Sequence, residues 1–380
     1  MIRLASSFAA FTYAHAIKPL LFRCQPDTVH AQLLHLSHLR QKISFTSTYI
    51  NALWAYHNNV ALGQNLHTIN FPNPVGLAAG FDKNIELAPT MKAVGFGFMT
   101  GGSVTFHECN GNPRPWFYRL PKQKSLVVNV GLANEGTQAV MDRLRTCGKS
   151  QFEQFPLVVS VAKTNSPEAC DDPSAIADYI GSLSLLQNQP QVSAIEINIS
   201  CPNAYGGEPF TDPLRLEQLL VAVDALNIVK PVWVKMPIDL AWPEFDALLQ
   251  VIVTHRVQGV TIGNLQKNRG EIPPQDLPNE VKGNLSGLPT QAPSDELIRR
   301  TYADYGERLT IIGVGGVFSA QDAYRKICLG ANLVELITGM IYEGPQLIGQ
   351  INCELVELLK RDNFANISEA VGSAHKTPQN

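Results

Sequence analysis

The chain has 380 residues and a net charge of −3, from 30 lysines and arginines against 33 aspartates and glutamates. With 45% apolar and 17% charged residues, it has the composition of a globular protein rather than a disordered one, and its acidic balance argues against a general nucleic-acid binder. Seven cysteines without a C-x-x-C pair favour a reduced, intracellular chain without a disulfide framework or zinc knuckle.

The first 65 residues differ from the rest and form a predicted helical extension. Residues 13–22 are rich in apolar and aromatic side chains, and after Pro26 four apolar residues follow at helical spacing: Val29, Leu33, Leu36 and Leu39. No apolar stretch is long enough to span a bilayer, and the start lacks a convincing signal-peptide cleavage site. Two such amphipathic helices either lie in the membrane interface or cap the core of the main domain, and the pattern alone favours the cap.

From about residue 73, short apolar runs alternate with helical stretches. Continuous apolar runs of this length are typical of parallel strands that are covered on both faces. Eight such runs predict an α/β fold, a (β/α)8 TIM barrel over residues 66–365. A doubly wound sheet is the alternative, but the early G-x-G-x-x-G turn that would support it is missing. Residues 366–380 are predicted to form a disordered tail. The predicted strands span 74–80, 95–102, 156–162, 194–200, 231–236, 259–264, 310–316 and 333–339.

Two segments are longer than the loops that a minimal barrel needs and are predicted to be insertions. Residues 103–155 are rich in Gly, Asn and Pro, and residues 265–293 are polar and rich in Pro. Both follow predicted strands, so both fall at the face where barrels keep their active sites. We therefore interpret them as candidates for a lid or a pocket wall.

Polar residues at the strand ends predict an anionic ligand that carries amide or carbonyl groups. Lysines supply positive charge there, and asparagines supply both donors and acceptors. Gly315 and Gly316, before a helix that starts near Ser319, suit a phosphate because no Cβ blocks the backbone N–H groups. Any one of the lysines could instead be a solvated rim residue. The strand-end residues are Lys83, Ser103, Lys163, Asn165, Asn198, Asn203, Lys235 and Asn264.

Cys201 occupies the most unusual loop, NISCPNAYGGEPF (198–210). A thiol has an ordinary pKa of ~8.5, which nearby lysines can lower, so Cys201 could act as a base or nucleophile near neutral pH. The alternative is a small packing cysteine in the loop wall. No cluster of His, Cys, Asp or Glu has metal-ligand spacing, so we predict no metal site.

Several segments together resemble the dihydroorotate dehydrogenases, FMN-dependent enzymes of pyrimidine synthesis, over roughly residues 15–350. The resemblance is to the membrane-associated, quinone-using class. The segments are IKPLLFRCQPDTVHAQLLHL (17–36), NPVGLAAGFDKN (73–84), GSVTFHECNGNPRPWFYRL (102–120), NLSG (284–287), IIGVGGVFSAQDA (311–323) and GANLVELITGMIYEGPQLI (330–348).

The resemblance implies a role for each matching position. Cys201 is the implied catalytic base, and His30 and Arg119 are the implied border of a quinone tunnel. The implied FMN contacts are Ala79, Gly80, Lys83, Ser103, Ser160, Asn198, Lys235, Gly263, Gly315, Gly316 and Thr338. The implied contacts of dihydroorotate or orotate are Lys83, Asn129, Gly131, Asn198, Asn203 and Asn264.

The chain also departs from the class it resembles. The quinone class has a serine as the base, and cysteine belongs to the soluble class. Val128 occupies a position where the family has a substrate-binding asparagine, and Asn129 is displaced by one residue. Ser160-Val161 replaces an Asn–Ile pair on the third strand, and Gly263-Asn264-Leu265 replaces the family's pattern after the sixth.

We therefore expect an FMN oxidoreductase that oxidises (S)-dihydroorotate to orotate and passes electrons to a membrane quinone. The resemblance places the N-terminal helices on the membrane surface, at the cytoplasmic face of a bacterial inner membrane, and from the acidic charge balance we expect no nucleic-acid partner. Two alternatives stay open. One is a related flavin oxidoreductase that uses another pyrimidine or a soluble acceptor. The other is a non-catalytic, membrane-docked FMN-binding homologue.

Overall fold

Eight parallel strands close into a barrel in the computed structural model, which describes residues 2–41, 50–52, 54–56, 60–147, 152–270, 272–273, 275–278 and 280–376. The ring closes because the first barrel strand, β3 (Val75–Leu77), pairs with both the second, β4 (Phe98–Val104), and the last, β13 (Leu333–Leu336). This closure confirms the (β/α)8 prediction and excludes a doubly wound sheet. The barrel strands are β3 (Val75–Leu77), β4 (Phe98–Val104), β7 (Leu157–Val161), β8 (Ala194–Asn198), β9 (Val232–Met236), β10 (Gly259–Ile262), β12 (Thr310–Val314) and β13 (Leu333–Leu336).

Amphipathic helices cover the outside of the barrel. Their apolar stripes pack on the strands, as Leu183, Leu219 and Ile327 show by being fully buried. The side chains of Asp171, Asp212 and Ser319 cap three of these helices by accepting hydrogen bonds from backbone N–H groups of the first turn. The helices of the barrel are α4 (Ala88–Val94), α5 (Thr137–Thr146), α6 (Asp172–Leu186), α7 (Pro213–Ala225), α8 (Trp242–Ile252), α9 (Gln291–Tyr305), α10 (Ala320–Cys328), α11 (Thr338–Glu343) and α12 (Leu347–Arg361).

The N-terminal segment is helical and lies against the carboxyl-end face of the barrel. It consists of α1 (Ile2–Thr12), a π-helical turn (Tyr13–Ile17), α2 (Lys18–Leu21) and α3 (Pro26–Gln41). The Tyr13 hydroxyl donates to the Ile341 carbonyl at 2.7 Å, and Lys18 Nζ donates to the Tyr342 carbonyl at 3.0 Å. These bonds fix the segment to α11. Across the described residues, no helix is long and apolar enough to cross a membrane.

The two predicted insertions meet in one antiparallel sheet. Strands β5 (Phe117–Leu120) and β6 (Ser125–Val128) come from the first insertion, and β11 (Asn284–Gly287) comes from the second. β6 lies in the centre and pairs with both neighbours. Leu120, Val127 and Leu285 form a small apolar cluster beneath the sheet. The insertions therefore form one wall beside the active-site face, although the sequence analysis predicted no strands in them.

The opposite end of the barrel is closed by a hairpin, β1 (Gln64–Leu66) and β2 (Ile69–Phe71). Phe71 packs edge-on against Phe98, with ring centroids 5.3 Å apart, and joins a buried cluster with Trp233. This apolar plug leaves the carboxyl ends of the strands as the face where a ligand can enter.

The predicted disordered tail is wrong for residues 366–376. Residues Ile367–Ala370 form helix α13, followed by a 3₁₀ turn. Ile367 and Ala370 are fully buried, and the Ile367 N–H donates to the Ala61 carbonyl at 2.7 Å. Two apolar residues three apart bury enough surface to hold this short segment on the barrel. Residues 377–380 lie outside the described residues, and the predicted boundary at 65/66 stays a prediction.

Candidate active site

One continuous cavity of about 780 Å³ begins at the carboxyl ends of the barrel strands and extends between the N-terminal helices. It brings together most of the residues that the sequence analysis selected. Ser160 and Asn129 do not line it. The selected residues that line it are His30, Ala79, Gly80, Lys83, Ser103, Arg119, Gly131, Asn198, Cys201, Asn203, Lys235, Gly263, Asn264, Gly315, Gly316 and Thr338.

Gly315 and Gly316 form a narrow backbone turn after β12. Their φ angles of +114° and +68° lie in the region that favours glycine. A Cβ on Gly315 would lie 2.6 Å from Thr290 Oγ1, and one on Gly316 would lie 2.2 Å from the Gln291 Cβ. Side chains are therefore excluded, and the backbone is open to a ligand. This turn fits a phosphate group of a cofactor.

A chain of hydrogen bonds orients the polar floor of the cavity. Asn198 Nδ2 donates to Ser103 Oγ at 2.9 Å, and Ser103 Oγ lies 2.8 Å from Ser160 Oγ. Asn264 Nδ2 donates to Ser200 Oγ at 2.8 Å and to the Ser200 carbonyl at 2.6 Å. Ser160 is fully buried and acts from behind Ser103. The network fixes both asparagines for contact with a planar, hydrogen-bonding ligand.

A second group of asparagines surrounds Val128, the residue that stands where the family has a substrate-binding asparagine. Asn203 Nδ2 donates to the Val128 carbonyl at 3.0 Å, and Asn284 Nδ2 donates to Asn203 Oδ1 at 2.8 Å. Asn129 does not face the cavity but accepts from Asn112 Nδ2 at 3.0 Å. Sequence reasoning missed the positioning role of Asn112 and Asn284. Both lie in segments that carry the family resemblance, which was the available signal.

Lys163 and Asn165 hold the loop that carries Cys201 instead of lining the cavity. Lys163 Nζ donates to the Tyr205 carbonyl at 2.5 Å, and the Tyr205 N–H donates to Asn165 Oδ1 at 2.5 Å. The expectation that Lys163 meets the ligand is therefore corrected. Of the three strand-end lysines, Lys83 and Lys235 line the cavity.

Cys201 lies at the cavity wall, and none of the seven cysteines, all of which the structure describes, forms a disulfide bond. Burial raises the pKa of the Cys201 thiol to about 11, and the positive charges of Lys235 and Lys163 oppose this only in part. The lysines do act to lower this pKa, as the sequence analysis expected, but desolvation outweighs them, so the net shift is upward. Burial also lowers the pKa of Lys83 to about 8, so its ammonium group, which donates to the Gly80 carbonyl at 2.7 Å, titrates near neutral pH.

The outer half of the cavity is an apolar tunnel between α1 and α3. The His30 ring lies edge-on to Phe81 and Phe117, at centroid distances of 5.1 and 5.8 Å. Burial, assisted by the charge of Lys83, lowers the pKa of His30 to about 4, so His30 is neutral at pH 7. Arg119 Nη1 donates to the Cys24 carbonyl at 2.7 Å, and its guanidinium stacks over Phe22.

Comparison with known proteins identifies the family. The family model described as dihydroorotate dehydrogenase matches residues 61–359. The chain belongs to the dihydroorotate dehydrogenase family. This match confirms the resemblance found in the sequence and makes the chain an oxidoreductase.

Curated relatives of this chain carry the name "Dihydroorotate dehydrogenase (quinone)", which confirms the resemblance to the quinone class. The protein of Crocosphaera subtropica is 33% identical over 95% of this chain and 98% of its own length. The protein of Nostoc punctiforme is 34% identical over 95% of this chain and 97% of its own length.

A solved structure supports the fold of this dihydroorotate dehydrogenase family member. The structure of DHODH from Eimeria tenella in complex with ferulenol superimposes with a TM-score of 0.79 at 24% identity. It covers 93% of this chain and 96% of its own.

Proposed function

We propose that the protein oxidises (S)-dihydroorotate to orotate in pyrimidine biosynthesis, with FMN as its cofactor and a membrane quinone as its electron acceptor. One observation carries the proposal. A single cavity joins a polar site, which contains Cys201 and the oriented asparagines, to an apolar tunnel between the N-terminal helices. A polar substrate and an apolar acceptor can thus reach one central cofactor from two sides.

The residues of the inner cavity fit FMN. The Gly315–Gly316 turn, where a Cβ would collide with Thr290 and Gln291, would hold the phosphate. Lys235 is 4% exposed and presents a positive charge that would balance the charge of a reduced ring. When bound, FMN supplies the hydride acceptor for the reaction. The remaining contacts would come from Ala79, Gly80, Lys83, Ser103, Asn198, Gly263 and Thr338, with Ser160 supporting Ser103.

Asparagines and Lys83 would bind the substrate. Asn198, Asn203 and Asn264 are each held by hydrogen bonds to the protein, so their remaining donor and acceptor positions are fixed toward the ring of the substrate. Lys83 would balance the carboxylate of the substrate. Gly131, with φ +66°, would bring the backbone close to the substrate. Asn129, which faces Asn112, would support this wall without touching the ligand.

Cys201 would remove the proton from C5 of dihydroorotate as the C6 hydride departs. The thiol must first lose its own proton, so the step depends on the thiolate fraction. The raised pKa of Cys201 keeps that fraction low at pH 7, and every rise in pH below about 11 increases it.

The N-terminal helices would deliver the quinone from a membrane surface. Their solvent-facing side carries large apolar side chains, and an apolar face of this kind binds the interface between headgroups and acyl chains. The neutral His30 and the stacked Arg119 would border the quinone site. We place the protein as a peripheral membrane enzyme on the cytoplasmic face of a bacterial inner membrane. The exposed apolar side chains are Phe8, Phe11, Ile17, Leu20, Leu33 and Leu36.

An anaerobic titration with dihydroorotate, followed by addition of a hydrophobic quinone, tests this function. We expect bound flavin to lose its visible absorbance as substrate is added and to regain it with quinone. Flavin that is reduced by dihydroorotate but reoxidised only by fumarate or NAD⁺ would point to a soluble acceptor. Flavin that dihydroorotate never reduces would point to a non-catalytic homologue.

A further inference from the structure

Three ionisable side chains are buried inside the barrel, and one of them, Lys235, also lines the cavity. Glu196 on β8, Lys235 on β9 and Glu335 on β13 are the ionisable residues of the eight barrel strands. Their exposed fractions are 0%, 4% and 1%. Two carboxyl groups therefore share the interior with one ammonium group. Full ionisation of all three would leave one uncompensated negative charge in a medium of low dielectric constant, which is strongly unfavourable.

Each carboxyl group has one oxygen with a donor and one without. Thr261 Oγ1 donates to Glu196 Oε2 at 2.7 Å, and Thr100 Oγ1 donates to Glu335 Oε1 at 2.5 Å. The other two oxygens, Glu196 Oε1 and Glu335 Oε2, are buried and have no hydrogen-bond partner within the described part of the chain. A carboxylic acid carries an O–H donor that a carboxylate lacks. A proton on one of the two groups would remove the excess negative charge from the interior and turn one of its oxygens into a donor.

The positions of the groups indicate which one holds the proton. Glu196 Oε1 lies 4.0 Å from Lys235 Nζ, and an opposite charge at this distance favours the ionised carboxylate. Glu335 lies across the barrel on β13. Burial and then the negative charge of Glu196 raise the pKa of Glu335 to about 8, against smaller opposing effects of Lys235 and the Thr100 hydroxyl. Glu335 is thus the member of the pair that is neutral at pH 7.

We propose that Glu335 and Glu196 carry a single proton between them at neutral pH, with Glu335 as the neutral acid and Glu196 as the carboxylate beside Lys235, and that this pair of carboxyl groups positions Lys235 and sets its charge balance. One net negative charge then opposes one ammonium group. The part of the proposal that concerns the cofactor rests on the proposed function, because Lys235 would face the flavin. Loss of the shared proton at alkaline pH adds a negative charge near the cofactor site.

Infrared spectroscopy of the whole protein tests the shared proton directly, without reference to activity. Wild type at pH 7 should show the C=O stretching band of a protonated carboxyl group, and this band should disappear with a midpoint near pH 8. Glu335→Gln should lack the band while keeping the wild-type fold, because glutamine mimics the neutral acid. The control Glu354→Gln removes an exposed carboxylate on α12 and should leave the band unchanged.

Glu196→Gln tests the pairing separately. With the charge of Glu196 gone, the midpoint of the Glu335 band should move to lower pH. A midpoint that stays in place would show that burial alone protonates Glu335 and would overturn the pair. A wild-type protein without the band at pH 7, or a band that survives in Glu335→Gln, would overturn the assignment of the proton. Burial also raises the pKa of the Asp82 carboxyl group, to about 6. Its band is the same in the wild-type and variant spectra, so it cancels when one spectrum is subtracted from the other.

The midpoint potential of bound flavin tests the effect on the cofactor. Between pH 7 and 9.5, the wild-type potential should fall more steeply with pH than that of Glu335→Gln, because a new negative charge disfavours reduction. Parallel pH profiles would overturn the coupling to the cofactor. If the protein binds no FMN, the proposed function fails, while the infrared result still decides whether the proton is shared.

Discussion

Replacement of Cys201 is the most informative perturbation of the site. The thiol has a pKa of about 11, so the thiolate fraction at pH 7 is about 10⁻⁴ and grows about tenfold for each pH unit. If Cys201 is the base, flavin reduction at saturating dihydroorotate should rise between pH 7 and pH 10, by about 10³-fold if bound substrate leaves this pKa unchanged. Cys201→Ala should keep its flavin and be slower by roughly 10²–10⁴-fold, the usual effect of losing a general base.

The assay is anaerobic stopped-flow reduction of bound flavin across this pH range. A second effect of pH is weaker substrate binding, because Lys83 loses its charge as the pH rises through about 8 and then attracts the substrate carboxylate less. Saturating substrate removes this effect from the measured rate. Cys201→Ser should stay well below wild type, because a hydroxyl is much harder to deprotonate than a thiol. Cys170→Ala, which removes an exposed thiol outside the cavity, is the matched control. A Cys201→Ala protein that reduces flavin as fast as wild type would refute the assignment.

Three further predictions concern the membrane face, the phosphate turn and the pH dependence of stability. The double variant Phe11→Ser/Leu20→Ser removes two exposed apolar side chains outside the cavity wall. It should sediment less with lipid vesicles and keep the wild-type rate of flavin reduction. The control Val229→Ser, at a 97% exposed site, should sediment with vesicles as the wild type does. Gly316→Ala should lower FMN affinity and cost about 1–3 kcal/mol of stability, measured by fluorescence titration and chemical unfolding, because its Cβ would lie 2.2 Å from another carbon. Burial alone would lower the pKa of His255, but hydrogen bonds to two carboxylates raise it overall. The stabilisation from these ion pairs is therefore present below pH 6.5 and lost as the pH rises through the folded-state pKa. His255→Gln should lower the melting temperature more at pH 6 than at pH 9, and an equal loss at both pH values would contradict a stabilising role of the ion pairs.

The barrel was predictable because its strands are continuous apolar runs, and burial on both faces leaves little freedom for another assignment. The sheet of the two insertions was not predictable in this way. Leu126 and Val127 carry a short apolar signal, but their partners Ser286 and Leu285 lie about 160 residues away in a polar, Pro-rich segment. The short C-terminal helix was missed for a similar reason, since its stability depends on contact with the barrel.

The sequence predicted which residues meet in the site, but not the direction in which their pKa values shift. Positions at strand ends converge because barrel topology requires it, so Lys83, Asn198 and Asn264 meet in one cavity. The direction of a pKa shift depends instead on how burial and charge compete at one atom. For Cys201 the lysines were visible in the sequence, whereas the desolvation that outweighs them was not.

If the proposed function is correct, the burial of Cys201 bears on how a cysteine would serve as the base in a site that opens toward a membrane. A thiol in the dry wall of an apolar cavity pays a desolvation penalty on ionisation, and the raised pKa of Cys201 shows that penalty. The same burial would strengthen the attraction between a Cys201 thiolate and the ammonium groups of Lys235 and Lys83. On the proposed function, the apolar half would stay open for the quinone, so bound substrate, held by the asparagines, would be what keeps water from Cys201 during the reaction. The thiol would then act as a base only while dihydroorotate is bound, which would couple proton removal to occupancy of the site.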